Sequence, residues 1–312
     1  MPLAAYPDYI GYFGLKDAPF RLSPDPDFFF PAAPHIAAKE VLKFAIERGE
    51  GFMVLIGPAG TGKTLILRLI LEGLAPDKVP AVVVSPTVNP SGLLRLILDE
   101  MGCPYDGDGD DLGLLLKQFQ AAVLDLASKG KELFIVVDEA QNLPLDTIEQ
   151  LRLLSNIETD RRKLLQILLI GQPELDVILQ SPQLGQLAQR IVVREELRPF
   201  TRQEMGAYIN FRFAKVGRAD ITLAPRALSR LYRASYGIPR LINKIMDRAF
   251  LIASSRGRHM IYDEDIKVAQ ETLPIPEMTH LRWGWHQKAM ILASGCFLLM
   301  MFIWTIFKVI RP

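Results

Sequence analysis

Cysteine is nearly missing. The 312 residues contain two, Cys103 and Cys296, far apart in the chain, and only four scattered histidines. That supply offers neither a disulfide framework nor a zinc-ligand spacing and argues against a metal enzyme. Net charge is also almost absent, +1 from 36 Lys and Arg against 35 Asp and Glu. The total therefore points neither to a nucleic-acid binder nor to an acidic surface. The first ten residues, MPLAAYPDYI, have no cationic stretch leading into an apolar run, so no signal peptide is read there. With 49% hydrophobic and 23% charged residues, the composition excludes disorder as the main theme and allows a sizeable core.

The even total hides a segregation of charge. Residues 1–199 carry 19 basic and 27 acidic side chains, whereas residues 200–260 carry 12 and 3. A segment with that excess either docks on the acidic part, within one chain or between neighbours, or meets the phosphates of nucleic acid or anionic lipid.

One long apolar run is present. Ala289 to Phe307 are 19 consecutive uncharged residues, which as a helix span roughly 28 Å, close to a bilayer's hydrocarbon thickness. Trp283, Trp285 and Lys288 precede the run and Trp304, Lys308 and Arg311 close it, as interfacial anchors do. A transmembrane helix over 289–310 is expected, the alternative being a buried hairpin helix. Near-even flanking charge leaves its orientation open.

Residues 1–50 combine an aromatic, proline-punctuated stretch, GYFGLKDAPFRLSPDPDFFF, with a helical pattern over 37–48, and packing is the role expected of them. Apolar runs bounded by turn residues follow at 52–56, 81–84, 133–137, 165–170 and 191–193. Helical patterns separate them at 63–73, 92–101, 112–128, 147–157 and 175–179. This alternation predicts an α/β core over 51–199 with a parallel sheet covered on both faces. Beyond Pro199 the strand signal stops, and 202–215, 225–235, 239–254 and 263–272 predict four helices, a separate domain over 200–272. Residues 273–288, with Pro274 and Pro276, read as a linker to the apolar span. The acidic DGDGDD at 106–111 fails as a calcium loop, because Asp111 stands where glycine is needed and Lys117 where glutamate closes the site. It reads as a solvated loop whose end caps the next helix.

The strongest chemical signal is GPAGTGKT, comprising Gly57, Pro58, Ala59, Gly60, Thr61, Gly62, Lys63 and Thr64, directly after an apolar strand and opening a helix. Such a loop turns its backbone N–H groups onto a polyphosphate at a helix N-terminus. Lys63 then reaches the β- and γ-phosphates, and the Thr64 hydroxyl coordinates Mg²⁺, so ATP and Mg²⁺ are the expected cofactors. In LFIVVDEAQNL, about 75 residues after the lysine, an apolar strand ends in Asp138 and Glu139. Asp138 would hold the magnesium through its water shell, and Glu139 would orient or deprotonate the attacking water.

Three further residues are candidates. Gln172 ends the strand of LLQILLIGQPEL and either positions water beside the γ-phosphate or is a turn residue with no role. Arg190, in QLAQRIVVREEL, either reaches a neighbouring subunit's γ-phosphate in a ring or makes a salt bridge. Arg240, in GIPR, either folds over the phosphates from a lid helix or serves lid packing.

Taken together, YFGLKDAPFRLSPDPDFFF, GPAGTGKT, DEAQNLPLDTIEQLRLLSNIETD, LLQILLIGQPEL, QLAQRI and GIPRLINKIMDRA resemble the AAA+ ATPases of the general secretion pathway A (ExeA-like) type, over about residues 8–272. The resemblance implies a P-loop NTPase fold with a C-terminal helical lid. It also implies an oligomeric, ring-forming ATPase on the cytoplasmic face of a bacterial inner membrane, acting on components of an envelope secretion or export machine. It supports Lys63, Thr64, Asp138, Glu139, Arg190 and Arg240 in the roles above. The departure is at the end: secretion members commonly continue past the membrane helix into a peptidoglycan-binding domain, and here about five residues follow. A DNA-binding AAA+ regulator, favoured by the basic segment but lacking a readable helix-turn-helix, and a nucleotide-dependent scaffold with little turnover are the alternatives.

Overall fold

The computed structural model describes residues 8–23, 25–84, 87–105, 111–157 and 163–274. The chain divides into two compact units, Met1–Glu271 and Thr272–Pro312, and the sheet and its helices belong to the first. The expected membrane span at 289–310, most of the linker and residues 106–110 lie outside the described residues. Among the described residues no helix is long and apolar enough to cross a membrane.

The strands are β1 (Phe52–Ile56), β2 (Lys78–Val84), β3 (Glu132–Asp138), β4 (Leu165–Gly171) and β5 (Ile191–Glu196). They form one sheet in the order β2-β3-β4-β1-β5, every pair parallel. Before β1 stand α1 (Tyr9–Phe13) and α2 (Ala33–Glu47); between strands run α3 (Lys63–Glu72), α4 (Pro90–Glu100), α5 (Leu112–Ser128), α6 (Leu145–Leu154), α7 (Pro173–Leu179) and α8 (Gly185–Ala188). After β5 come α9 (Arg202–Lys215), α10 (Pro225–Ser235), α11 (Pro239–Ser255) and α12 (Asp263–Thr272).

Alternation along each strand sorts side chains to two faces. Phe52, Val54, Ile135 and Leu169 pack with Leu93, Phe119 and Leu151 of α4, α5 and α6. Met53, Leu55, Phe134 and Leu168 pack with Leu42 of α2 and Ile66 of α3. Because helices cover both faces, β1 and β4 are buried throughout, while the edge strands β2 and β5 alternate. β2 starts at Lys78, ahead of its apolar run, because the Lys78 ammonium is buried in an ion pair with Glu132 and donates to Gln166 Oε1 at 2.9 Å. Asp111 caps α5 as expected, accepting the Leu114 N–H at 3.1 Å.

The N-terminal aromatics do pack against this chain's own helices. Phe13 and Phe20 are buried, Phe13 edge-on to Phe250 of α11 at 4.7 Å and Phe20 edge-on to Phe213 of α9 at 5.6 Å. The Tyr9 hydroxyl donates to Asp247 at 2.6 Å. Several charges of the basic segment find partners close by, Arg230 with Asp263 and both Arg256 and Arg258 with the buried Asp265 of α12. The acids they meet come from the helical segment itself, which draws α10 and α11 to α12.

Candidate nucleotide site

The site lies at the C-terminal ends of β1, β3 and β4, where parallel strands deliver their following loops to one edge. The buried strand β1 ends at Ile56, and the chain turns through residues 57–62 before α3 begins at Lys63. Gly60 has φ +81°, and a Cβ there would stand 2.6 Å from Cβ of Arg240. The position therefore excludes side chains twice, by conformation and by approach. The Arg240 N–H donates to the Gly60 carbonyl at 3.2 Å, which fixes the start of α11 over the loop. The turn leading to that helix is set in the same way: Gly237, at φ +75°, lies so close to the Phe200 carbonyl that a Cβ would overlap it.

Lys63 is buried, and its ammonium donates to the carbonyls of Gly57 at 2.8 Å and Pro58 at 3.2 Å. Burial pulls its pKa below the ordinary lysine value, against the opposing pull of Glu139 and Asp138. The loop's own carbonyls thus hold a cation at the N-terminus of α3, a charge that a polyphosphate would complement. The Thr64 hydroxyl donates to Asp138 Oδ2 at 3.1 Å. Burial pushes the Asp138 carboxyl above its usual pKa, although the Glu139 N–H and the Thr64 hydroxyl stabilise its charged form. A hydroxyl and a buried carboxylate side by side are hard oxygen donors suited to Mg²⁺, so the expected ion fits these two residues.

Glu139 adopts φ 56°, ψ 39°, a left-handed conformation rare for a side chain of this size and costing roughly 1–3 kcal/mol. Asp138 Oδ1 accepts the Glu139 N–H at 3.0 Å and stabilises the turn. The Glu139 carboxylate accepts from Gln141 Nε2 at 2.6 Å and Gln172 Nε2 at 3.1 Å, and Gln141 Oε1 accepts the Gln172 N–H at 3.1 Å. Burial alone would raise the Glu139 pKa, but these amide donors and the nearby Lys63 and Arg240 charges bring it below the usual carboxylate value. Glu139 is therefore ionised at neutral pH, the state a general base requires.

Beside the loop opens a cavity of about 400 Å³. Ala59, Gly60, Thr61, Gly62, Lys63 and Thr64 form one side of it with Glu139; Phe28, Phe29, Phe30, Phe200 and Tyr208 form an aromatic side; and Arg240 and Asn243 come from α11. Arg190 does not line it. Its guanidinium donates to Ser155 Oγ at 2.8 Å and Asn156 Oδ1 at 2.6 Å, just past the end of α6. Among the described residues the hydrogen bonds of Arg190 go to neutral groups.

Two residues escaped the sequence reading. Gln141 lies two positions after Glu139, so its place in the DEAQ string was the available signal. His35, on α2, places Nε2 2.8 Å from the Thr61 carbonyl, and nothing in the local sequence around it points to the loop.

The family model for an AAA domain matches residues 46–179. General secretion pathway protein A of Aeromonas hydrophila is 43% identical over 261 residues, covering 84% of this chain. The chain spans 48% of that relative's length. Solved structures share the fold at low identity: Cdc6p of Pyrobaculum aerophilum at TM-score 0.62 and 19% identity, covering 80% of this chain and 72% of that one, and the RuvB branch migration motor of Thermotoga maritima at 0.53 and 20%, covering 82% and 74%.

Proposed function

The chain is an AAA-domain relative of general secretion pathway protein A, and on that premise we propose that it binds ATP with Mg²⁺ and hydrolyses it. We propose further that it works as a membrane-tethered homo-oligomer that drives or regulates assembly of a bacterial secretion or export machine. Residues 289–310 would be the tether in the inner membrane, with the ATPase on the cytoplasmic side, and α9–α12 would form the lid.

The observation that carries the catalytic reading is the Glu139 carboxylate, held by Gln141 and Gln172 at the end of β3 beside the buried Lys63 and the Thr64–Asp138 pair. Lys63 and the loop N–H groups would bind the β- and γ-phosphates, and Arg240 would close over them. Thr64 and Asp138 would hold Mg²⁺, which when bound neutralises charge on the phosphate oxygens. Glu139 would take the proton of the attacking water, while Gln172 fixes the direction of its carboxylate. Arg190, outside its own cavity, would act on a neighbour's γ-phosphate in the ring.

A second reading, a DNA-acting AAA+ regulator, draws on the basic residues of 200–260 and on fold relatives such as an Aeropyrum pernix ORC1 protein solved in complex with DNA. Pairing of Arg230, Arg256 and Arg258 with acids of α12 weakens it.

The test is ATP turnover by the full chain in detergent across protein concentration, with and without duplex DNA, with Glu139→Gln as the blank. Turnover that rises cooperatively with concentration and ignores DNA is expected. Salt-sensitive stimulation by DNA would favour the regulator instead, and ATP binding with no turnover above the blank would leave a scaffold.

A further inference from the structure

The cavity beside the phosphate loop contains two buried side-chain atoms without a partner, and they differ in kind. His35 and Arg212 both line it, 4% and 6% exposed respectively. Among the described residues neither His35 Nδ1 nor Arg212 Nη1 has a hydrogen-bond partner. Native interiors rarely leave such atoms unsatisfied, because each costs the desolvation of a polar group with nothing returned.

The state of each atom follows from its neighbours. His35 Nε2 lies 2.8 Å from the Thr61 carbonyl, an oxygen that can only accept, so Nε2 carries the proton. Burial disfavours a second proton on the ring, and Nδ1 is left as a bare lone pair, an acceptor. Arg212 donates through Nε to the Tyr208 hydroxyl at 2.8 Å, that hydroxyl donates to Asn243 Oδ1 at 2.7 Å, and the guanidinium carbon sits 4.8 Å from the centre of the Phe28 ring. Among the described residues no carboxylate forms an ion pair with it. Nη1 is therefore a donor held in place by its own side chain's contacts.

We propose that His35 and Arg212 select the purine of the bound nucleotide: His35 Nδ1 accepts from the exocyclic 6-amino group of adenine, and Arg212 donates to a ring nitrogen of the same base. The inference rests on triphosphate binding at the neighbouring loop, which puts the base in the aromatic part of this cavity. The two contacts have different consequences. Adenine offers an N6 donor beside the N7 acceptor, whereas guanine offers O6 and N7, both acceptors. A lone pair on His35 thus attracts adenine and opposes guanine, while Arg212 can serve N7 of either. His35 also joins the two ends of the site, because its other nitrogen binds the phosphate loop at Thr61.

The experiment measures equilibrium binding of ATP, GTP and purine riboside triphosphate, which lacks the 6-amino group, to the full chain with Mg²⁺. ATP is expected to bind about tenfold or more tightly than either of the others. His35→Phe should bring the three affinities together, and His35→Gln, which can donate to Thr61 and still present an oxygen acceptor, should keep the preference. Arg212→Leu should weaken ATP and GTP alike without changing their ratio. Equal binding of ATP and purine riboside triphosphate by the unaltered chain would overturn the proposal even if His35→Phe fails to fold. No binding of any of the three would remove the proposal together with the nucleotide reading beneath it.

Discussion

Thr64 and Asp138, 74 positions apart, are joined by a hydrogen bond of 3.1 Å from the hydroxyl to Oδ2. One opens α3 and the other ends β3, and these elements meet because β1 and β3 both flank β4 in a parallel sheet. The contact joins the phosphate loop to the acidic strand end and sets two candidate oxygen donors for magnesium side by side.

Lys63→Ala should weaken ATP binding roughly 10- to 100-fold, the loss of a charge-assisted hydrogen bond to phosphate. Isothermal titration of the full chain measures it. Because the buried Lys63 ammonium donates to the Gly57 and Pro58 carbonyls, its removal should also lower the unliganded melting temperature, and the further shift produced by ATP should disappear. Unchanged ATP affinity would refute the assignment of the loop.

Gln141→Ala and Gln172→Ala should each move the acid limb of the kcat/KM profile to higher pH. Both amides donate to the Glu139 carboxylate and help to hold its pKa below the ordinary value. Without one donor the pKa rises, so the ionised base is lost at a higher pH than in the unaltered protein. A pH–rate profile measured for all three proteins decides the point, and coincident acid limbs would detach the two glutamines from Glu139.

Arg190→Ala should lower turnover about a hundredfold if Arg190 completes a neighbour's site. Mixing it with Lys63→Ala, itself inactive, should restore part of the activity, since each protein supplies what the other lacks. Titrating one variant into the other measures this. No recovery at any ratio would leave Arg190 with its contacts to Ser155 and Asn156 alone.

Glu204→Ala should destabilise the chain by about 1 kcal/mol at pH 7, the usual value of a helix cap. Glu204 closes a capping box with Thr201 at the start of α9 and takes two hydrogen bonds from Arg198. Arg198 and Thr201 lower its carboxyl from 4.5 to about 2. A depressed carboxyl stabilises the fold above its unfolded pKa, and the contribution fades as pH falls from 4.5 towards 2. The difference between the two proteins in urea unfolding should therefore shrink over that interval.

The local sequence was enough for whatever is contiguous. The phosphate loop, the DE pair and the strand–helix alternation were legible because a glycine loop between strand and helix, or an apolar run of three to six residues, has its meaning in neighbouring positions. The strand order, the clasp of Gln141 and Gln172 on Glu139, and the seat of Arg190 beyond α6 were decided only when the sheet brought distant loops to one edge. His35 is the clearest case. In sequence it is a histidine two positions ahead of a helical pattern, and its chemistry arises because α2 packs on the sheet and sets the ring against the Thr61 carbonyl. Hydrogen bonding and burial then determine which nitrogen carries the proton, and both are properties of the assembled tertiary structure rather than of residues adjacent in the chain.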